Sequence, residues 1–425
     1  MMQANGRAAT LKTRPAPGRV RRDFPVLRRR AGEKPLVYLD SAATAQKPNV
    51  VIERIRAFYS AEYAKNDTPY RLGKHATEMY EASRAAAAKF LNARSPDEIV
   101  FTRNTTEAIN LVANGFGRKL LEPGDEVLIT ACEHHSNIVP WHMACEQAAA
   151  KLLVAPLHAG GDLDVERLGR MITDRTRIVA VTHISNVLGG LEPVEEVVRV
   201  AHARGVPVLV DGAQAAPHVP VDVRANGCDF YAFSGHKTYG PSGVGVLYGT
   251  TEWLEKLPPS LGGEPMAADV TFDGWTPKPP PEKFSAGVPA LASTVSLGTA
   301  LDYMTKLGRP RIARHVRGLA TAAAKALAEI EGVRIIGNVA DRVSVVTFTI
   351  DGVEPEAAAE FLDRSESIAV RAGHLSARPL LRTMGLEGAV RASFGVYNTP
   401  AEIDVLAEAV GRCVRAKARH ARAGK

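Results

Sequence analysis

Residues 206–214 read VPVLVDGAQ, and residues 230–248 read FYAFSGHKTYGPSGVGVLY. The first stretch begins as an apolar run without polar alternation, which is typical of a strand buried on both faces of a parallel sheet. Asp211 ends that run, and open α/β sheets bind ligands at the carboxyl ends of such strands. Lys237 follows 26 residues later among glycines that let the backbone approach a ligand closely. Either residue alone would indicate a turn aspartate or an exposed lysine; together they predict a ligand site.

The same alternation of apolar run and helical stretch recurs on the N-terminal side. EIVFT (98–102), DEVLIT (125–130) and RIVAVTHIS (177–185) each read as a buried strand that precedes a helix. Strands alternating with helices predict an α/β fold in which helices cover a mainly parallel sheet.

The composition and the predicted secondary structure of the sequence change near residue 291. Residues 258–283 are rich in Pro and Gly and are predicted to form a long irregular loop. A helical segment at roughly 292–331 then leads into the strand-like RVSVVTFTI (342–350) and a final helix. The predicted organisation is a disordered basic tail at 1–18, an arm at 19–36 that packs with the small domain, a large domain at 37–291 and a small α+β domain at 292–425.

Basic charge is concentrated at the two ends of the chain. The 425 residues carry a formal net charge of +7, to which residues 1–40 contribute +7 and residues 411–425 contribute +6. The intervening part therefore has a net charge of −6. A nucleic-acid-binding protein would concentrate basic residues on a folded face. The distribution indicates solvated tails, with an acidic partner as the alternative, and no nucleic-acid partner is expected.

The sequence predicts neither a metal site nor a membrane segment. Its four cysteines, Cys132, Cys145, Cys228 and Cys413, form no CxxC pair and have no zinc-type spacing with histidines. The apolar stretches are too short for a membrane helix, and the N-terminus lacks the apolar core of a signal peptide. We therefore expect a cytoplasmic protein with buried, reduced thiols and no membrane partner.

Seven segments, taken in order, resemble one known family. From about Arg22 to about Ala409 the chain resembles the class V aminotransferases of fold type I, and among them the cysteine desulfurase and selenocysteine lyase branch. The resemblance implies an α/β, fold type I PLP-dependent transferase with a mainly parallel, seven-stranded-type sheet in the large domain, a smaller α+β C-terminal domain and a homodimer. The segments are YLDSAATAQKP (38–48), NTTEAINLVA (104–113), EHHSNIVPW (133–141), THISNVLG (182–189), DGAQ (211–214), SGHKTYGPSGVG (234–245) and VRASFGVYNT (390–399).

The cofactor that the resemblance implies is pyridoxal 5'-phosphate (PLP). Such enzymes need a lysine that binds the cofactor covalently and an acid opposite the pyridine nitrogen, and Lys237 and Asp211 match these positions. His134 matches the residue that stacks on the ring and assists proton transfer. These three are the expected catalytic residues, while Asn186 and Gln214 match the polar contacts to the ring hydroxyl.

The phosphate group of the cofactor is expected at four further residues, Thr105, Thr106, Ser234 and His236. The two threonines precede an apolar-periodic helix, and helix N-termini bind phosphate through free N–H groups and the helix dipole. The alternative for both threonines is an ordinary N-cap.

Arg391 matches the arginine that binds the substrate α-carboxylate, for which a planar guanidinium is well suited. The alternative is a surface arginine on a strand. Arg371, His135 and His183 also fall in matched or neighbouring segments, and each is expected either to face the amino-acid substrate or to have a purely structural role.

Three segments depart from the family pattern. Desulfurases carry a mobile loop, roughly R-x-G-H-x-C, whose cysteine takes the sulfur atom, and here Ser376 holds that position. A serine hydroxyl is far less nucleophilic toward sulfur than a thiolate, so Ser376 is expected to line the substrate site or simply to fill the loop. Desulfurases have a His-Arg-Gly-x-His element in the segment that corresponds to residues 65–75. That element is absent here, and the segment is one residue shorter. Val288 replaces a threonine that reaches the phosphate of the neighbouring subunit.

These departures leave several reactions open. The first prediction is elimination at a C–S bond, that is, a C–S lyase acting on an S-substituted cysteine. A cysteine desulfurase with a displaced nucleophile is the alternative, and Cys132 is the cysteine nearest to the predicted site in sequence. Aminotransfer, decarboxylation and epimerisation follow, and a PLP-binding scaffold without catalysis is the hypothesis from another class.

Overall fold

The structure is a computed structural model that describes residues 20–31, 34–339 and 341–423, so the predicted tail at 1–18 lies outside the described residues. The strands of these ranges, in chain order, are β1 (Arg30–Ala31), β2 (Lys34–Pro35), β3 (Val37–Tyr38), β4 (Ile99–Thr102), β5 (Glu126–Thr130), β6 (Lys151–Ala155), β7 (Thr176–Thr182), β8 (Val208–Asp211), β9 (Phe230–Ser234), β10 (Gly245–Gly249), β11 (Ala267–Val270), β12 (Trp275–Pro277), β13 (Val333–Ile335), β14 (Val345–Ile350), β15 (Ile368–Ala369), β16 (Arg371–Gly373) and β17 (Ala389–Ser393).

Helices cover both faces of the central sheet. In chain order they are α1 (Asn49–Ala57), α2 (Arg71–Leu91), α3 (Thr105–Gly115), α4 (Val139–Ala148), α5 (Val165–Met171), α6 (Val194–His202), α7 (Val223–Asn226), α8 (Thr251–Lys256), α9 (Leu291–Leu307), α10 (Arg309–Ala328), α11 (Pro355–Glu366), α12 (Arg378–Thr383) and α13 (Pro400–Ala423). Within the described ranges, no helix combines the length and the apolar character needed to cross a membrane.

The central sheet has seven strands in the order β4-β10-β9-β8-β7-β5-β6. The pairs from β9 through to β6 are parallel, whereas β10 is antiparallel to both of its neighbours. Because β4 and β9 both oppose β10, they run in the same direction. The carboxyl ends of β4, β5, β7, β8 and β9 therefore lie along one edge of the sheet. The predicted α/β fold with a mainly parallel, seven-stranded sheet is confirmed.

Strand β8 shows why these sequences read as continuous apolar runs. Val208 and Val210 pack into the hydrophobic cluster on one face of the sheet, and Leu209 packs into the cluster on the other face. All three are fully buried, because helices cover both faces. An alternating polar pattern would place polar groups in one of these two clusters.

A second, antiparallel sheet has the order β13-β14-β17-β16 and packs against α10, α11 and α13. Near the start of the described chain, Phe24 is fully buried and its ring contacts the rings of Tyr239, Tyr303 and Tyr397. Arg21 forms an ion pair with Glu402 at 2.8 Å. The arm thus contacts both parts of the molecule, and the division of the chain at residue 291 stays a prediction.

One local prediction was wrong. The Pro- and Gly-rich stretch at 258–283 is not irregular throughout, because β11 and β12 form an antiparallel hairpin within it. The helical segment predicted at roughly 292–331 is present, and it is divided into α9 and α10 at Gly308, where φ is +89°. Non-glycine residues rarely adopt that backbone conformation, so a glycine followed by Arg309-Pro310 ends one helix and starts the next.

Candidate active site

The candidate site lies where the strands of the central sheet end. Asp211 ends β8, Thr182 ends β7, and Ser234 ends β9 just before a short 3₁₀ turn that carries Lys237. Strand β4 ends at Thr102, and α3 begins three residues later at Thr105. The shared direction of these strands therefore brings residues far apart in sequence to one edge.

A cavity of about 260 Å³ opens at this edge. All twelve site residues predicted from the sequence line it: Thr105, Thr106, His134, Asn186, Asp211, Gln214, Ser234, His236, Lys237, Arg371, Ser376 and Arg391. Their grouping in one cavity is a finding, whereas the individual roles expected of them stay predictions.

Lys237 and Asp211 provide the two opposite charges in the cavity floor. Burial lowers the pKa of Lys237 to about 8, against the opposing effect of the Asp211 carboxylate. Burial raises the pKa of Asp211, while a hydrogen bond from the Ala213 N–H to Oδ1 (2.9 Å) and the charge of Lys237 counteract that rise. Among the described residues, the Lys237 amine has no hydrogen-bond partner, which leaves it available to a ligand.

The N-terminus of α3 forms one wall of the cavity. The Asn104 side chain caps the helix by accepting from the Glu107 N–H, so neither threonine is the N-cap that the sequence left as an alternative. The Thr105 N–H donates to Ser234 Oγ at 2.8 Å, and the two hydroxyls of this pair are 2.6 Å apart. The hydroxyls of Thr106 and Ser136 also form a hydrogen bond, 2.8 Å apart.

The two predicted amide contacts are already partly used within the protein. Gln214 donates from Nε2 to the Ala42 carbonyl at 2.8 Å, and its buried Oε1 has no partner among the described residues. Asn186 donates from Nδ2 to the Leu375 carbonyl at 2.7 Å. Gln214 lines the cavity, and its unpaired oxygen still needs a donor, because buried polar atoms without partners are costly.

His134 is a neutral histidine in the cavity wall. Its Nδ1 accepts a hydrogen bond from the Ser136 N–H at 3.0 Å. Burial, followed by the positive charge of Lys237, lowers the pKa of His134 to about 3. A flat, uncharged ring at this position suits stacking on an aromatic ligand.

Arg391 is buried on β17 instead of lying on the surface, which excludes the alternative that the sequence left open. Its Nη2 lies 3.3 Å from Asp40 Oδ1, and its Nη1 donates to the Asn186 carbonyl at 3.1 Å. Arg371 on β16 is its cross-strand partner. Burial lowers the pKa of Arg391 and Asp40 opposes that effect, so the ion pair supports a charged guanidinium in the cavity.

Three residues of this site were missed in the sequence analysis, although each lies in a segment that carried the resemblance. Asp40 pairs with Arg391, and Asn104 caps α3. Glu133 is fully buried, accepting from the Asn137 amide (2.7 Å) and the Thr182 N–H (2.8 Å). Burial raises the pKa of Glu133 to about 8. The signal available in the sequence was that each of the three is a polar residue in a segment that resembles the family.

Ser376 lies in the Ser376 loop (residues 374–378), which joins β16 to α12 and forms part of the cavity wall. The loop contains two successive left-handed residues, Leu375 and Ser376, with φ of +52° and +54°. A serine, and no cysteine, thus lines the cavity from this loop.

The remaining histidine and cysteine candidates lie outside the cavity lining. His183 is buried, and its Nδ1 is 3.0 Å from the Tyr231 hydroxyl, which indicates a structural role. His135 contacts the Ser376 loop. Cys132 is fully buried beyond the end of β5, beside Thr130 and Glu192, and burial raises its pKa well above the ordinary value. Cys132, the cysteine nearest to the site in sequence, is therefore not part of the cavity lining.

Most of the chain matches a family model. Residues 37–406 match the model described as aminotransferase class-V. The chain belongs to the class V aminotransferase family. Its cofactor is accordingly pyridoxal phosphate, and it is a PLP-dependent enzyme of fold type I.

Relatives of this class V aminotransferase have similar sequences over most of its length. The "Probable cysteine desulfurase" of Mycolicibacterium paratuberculosis is 47% identical over 394 residues, which cover 92% of this chain and 57% of that relative. The chain thus spans little more than half the length of this relative. The "Cysteine desulfurase" of Dickeya dadantii is 47% identical over 399 residues, which cover 93% of this chain and 96% of that relative.

A solved structure agrees with the fold of this class V aminotransferase. The cysteine desulfurase CsdA of Escherichia coli, in its S-sulfonic acid form, superposes with a TM-score of 0.87. The two chains are 41% identical, and the match covers 94% of this chain and 98% of CsdA. The sequence similarity and the structural similarity to this protein therefore both indicate the fold type I architecture.

The cavity of this class V aminotransferase fits pyridoxal phosphate on its own chemistry. The hydroxyls of Thr105, Thr106 and Ser234 and the N-terminus of α3 suit an anionic phosphate. Lys237 and Asp211 are oppositely charged groups in the floor, which suit an aldehyde carbon and a protonated ring nitrogen. The unpaired Gln214 Oε1 would accept from the ring hydroxyl.

Proposed function

We propose that the protein cleaves the C–S bond of L-cysteine or a close derivative, as a cysteine desulfurase whose sulfur acceptor lies outside the chain. The observation that carries the proposal is one cavity that combines Lys237, Asp211 and Arg391 in a chain 47% identical to proteins named cysteine desulfurases. The relatives' names favour this alternative over the elimination that was predicted first.

Each side chain would contribute one function to the bound amino acid. Bound PLP supplies an electron sink for the pair that remains when Cα loses its proton. Lys237, with a pKa near 8, holds the cofactor and moves the proton at Cα. Arg391 binds the α-carboxylate, and Asp40 keeps that guanidinium charged and in place. His134 packs on the ring as a neutral imidazole.

The sulfur atom has no acceptor on this chain. The loop position that faces the cavity is Ser376, and all four cysteines of the sequence are buried outside the cavity lining. The reaction would therefore consume an external thiol, R–SH. L-cysteine and R–SH give L-alanine and the persulfide R–S–SH, which balances in atoms and electrons.

Elimination is a second candidate, and Ser376 is the specific observation that favours it. Elimination needs no nucleophile at sulfur: a thiolate leaves Cβ after Cα is deprotonated, and hydrolysis then gives pyruvate and ammonia. Aminotransfer, decarboxylation and epimerisation have no such observation in their favour. A scaffold without catalysis has no need of the Arg391–Asp40 pair, which would hold a guanidinium in place for a substrate carboxylate.

Product analysis distinguishes these candidates. PLP-loaded protein is mixed with L-cysteine and dithiothreitol, and alanine, pyruvate and sulfide are measured. Alanine with sulfide in equal amounts supports desulfuration to an external thiol, whereas pyruvate and ammonia support elimination. The Ser376→Cys variant should gain a protein-bound persulfide that cyanide releases. Loss of alanine formation in Cys132→Ser would contradict an external acceptor, and no product from any cysteine derivative would contradict C–S cleavage.

A homodimer in the cytoplasm is part of the same proposal. Light scattering of the PLP-loaded protein should give twice the monomer mass. Val288 is largely exposed in the single chain, at the position where the family resemblance implies a cross-subunit phosphate contact. We expect that contact to be missing and PLP to dissociate more readily than from a Val288→Thr variant. Equal dissociation rates for the two proteins would contradict this.

A further inference from the structure

The Ser376 loop adopts a backbone conformation that needs external support. Leu375 and Ser376 are successive residues with left-handed φ, and neither is a glycine. A side chain at such a φ crowds its own backbone, so this conformation persists only where surrounding contacts determine it.

His135 and Asn186 supply those contacts. The His135 N–H donates to the Ser376 carbonyl at 2.7 Å, and His135 Nε2 accepts from the Arg378 N–H at 3.0 Å. The Asn186 amide donates to the Leu375 carbonyl at 2.7 Å. His135 thus holds the loop at Ser376 through its backbone and at Arg378 through its ring.

The environment of the His135 ring keeps it neutral. His374 stacks on it with ring centroids 5.5 Å apart, and Arg378 lies at the start of α12 on the same side. His134 precedes it on its own segment, with ring centroids 6.3 Å apart. Burial, then the electrostatic influence of His374 and Arg378, lowers the pKa of His135. A protonated ring would present an N–H to the Arg378 N–H, and the hydrogen bond would be lost.

We propose that His135 is a positioning residue that holds the Ser376 loop closed over the cavity while its imidazole is neutral and releases the loop when the imidazole is protonated. His135 directly follows His134, which lies in the cavity wall. Closure of the loop is therefore coupled through the backbone to the residue expected to stack on the bound cofactor. The proposal concerns the resting protein and does not depend on which C–S reaction follows.

Amide hydrogen exchange on the PLP-loaded protein, without substrate, tests this. Protection of residues 374–378, corrected for the intrinsic rate, should be constant above about pH 6.5 and fall below it, because the closed state lacks the proton that the open state binds. In His135→Leu, protection should fall by roughly tenfold or more at neutral pH, the effect of one lost hydrogen bond. In His135→Gln, an amide oxygen replaces Nε2, and protection should be retained without dependence on pH.

Two controls keep the test specific. His142 is exposed on α4, and His142→Leu should behave as the wild type. His374 Nδ1 also accepts a hydrogen bond, from the Ser376 N–H at 3.0 Å. If His374→Asn abolishes the dependence on pH while His135→Gln keeps it, the switch belongs to His374 and the proposal is wrong. Full protection in a folded His135→Leu would likewise overturn it; should that variant not fold, the His135→Gln comparison still decides.

Discussion

The buried Arg391 and the partly buried Asp40 form an ion pair, with Nη2 and Oδ1 3.3 Å apart, and Arg371 is the cross-strand neighbour of Arg391. The pair joins the N-terminal segment after β3 to the C-terminal sheet. Arg391 can therefore serve both the stability of the fold and the binding of a carboxylate, and the two contributions can be separated experimentally.

Arg391→Ala should weaken the binding of the amino acid and also destabilise the fold. The lost charge-assisted pair should cost about 2–4 kcal/mol, which raises the apparent KM roughly 30- to 700-fold. Adding Asp40→Asn removes the unpaired, partly buried carboxylate, so the double variant should regain thermal stability without regaining affinity. Steady-state kinetics and thermal unfolding measure the two effects. An unchanged KM in Arg391→Ala, with a raised KM in Arg371→Ala, would assign the carboxylate to Arg371.

Loading of the apoprotein with PLP should follow the titration of Lys237. Only the neutral amine attacks an aldehyde, and burial lowers the pKa of Lys237 to about 8. The rate of appearance of the yellow band should therefore rise with pH, reach half of its maximum near pH 8 and level off above that. Lys237→Ala should bind PLP without a covalent bond. Borohydride reduction and peptide mapping identify the modified residue, and a label on any other lysine would exclude this assignment.

Glu133 should make the protein less stable as the pH rises. Its pKa in the folded state is about 8, above the ordinary value of 4.5, so the folded state binds more protons than the unfolded state between these values. Stability is then present below pH 4.5 and is lost toward pH 8, at up to about 1.4 kcal/mol per pH unit. Glu133→Gln should remove this dependence. Urea unfolding at pH 5, 6.5 and 8 tests it, and parallel curves for the two proteins would refute the neutral carboxyl.

Gly212→Ala should displace Asp211 and weaken the binding of PLP. A Cβ at this position would lie 2.0 Å from the Tyr231 ring, which is fully buried and cannot move aside. We expect a loss of about 1–3 kcal/mol in stability from overpacking and a faster release of PLP in dialysis. Gly318 on α10 has open space around its Cβ position, so Gly318→Ala is the matched control and should not destabilise the protein. Comparable melting temperatures for the two variants would contradict the expected clash.

The fold and the composition of the cavity could be predicted because local patterns were sufficient for both. The apolar runs around Val127, Val179 and Leu209 indicate strands buried on two faces, and such strands bring their carboxyl ends to one edge. The motif segments then supplied the residues at that edge. Both kinds of signal are contained within about ten residues of sequence.

What could not be predicted depends on contacts between distant segments. The Asp40–Arg391 pair spans 351 residues, and nothing near Asp40 in the sequence identifies its partner. From the sequence, His183 and His135 had the same two possible roles, facing the substrate or supporting the structure. In the structure His183 pairs with Tyr231, whereas His135 holds the Ser376 loop. The hairpin of β11 and β12 was missed because the Pro and Gly content of 258–283 outweighed two short strands.

The packing of Phe24 among Tyr239, Tyr303 and Tyr397 determines when folding can be completed during translation. Tyr38 of strand β3 pairs with Ala369, so this strand also needs a partner from late in the chain. The packing around Phe24 is completed only after the ribosome has synthesised Tyr397. At about 5–20 residues per second, some 20–75 s separate the synthesis of Phe24 from that of its last partner. Throughout that interval the arm leaves the ribosome with its aromatic and apolar side chains uncovered. The nascent chain should therefore be a substrate for chaperones that bind such segments, long before the active site exists.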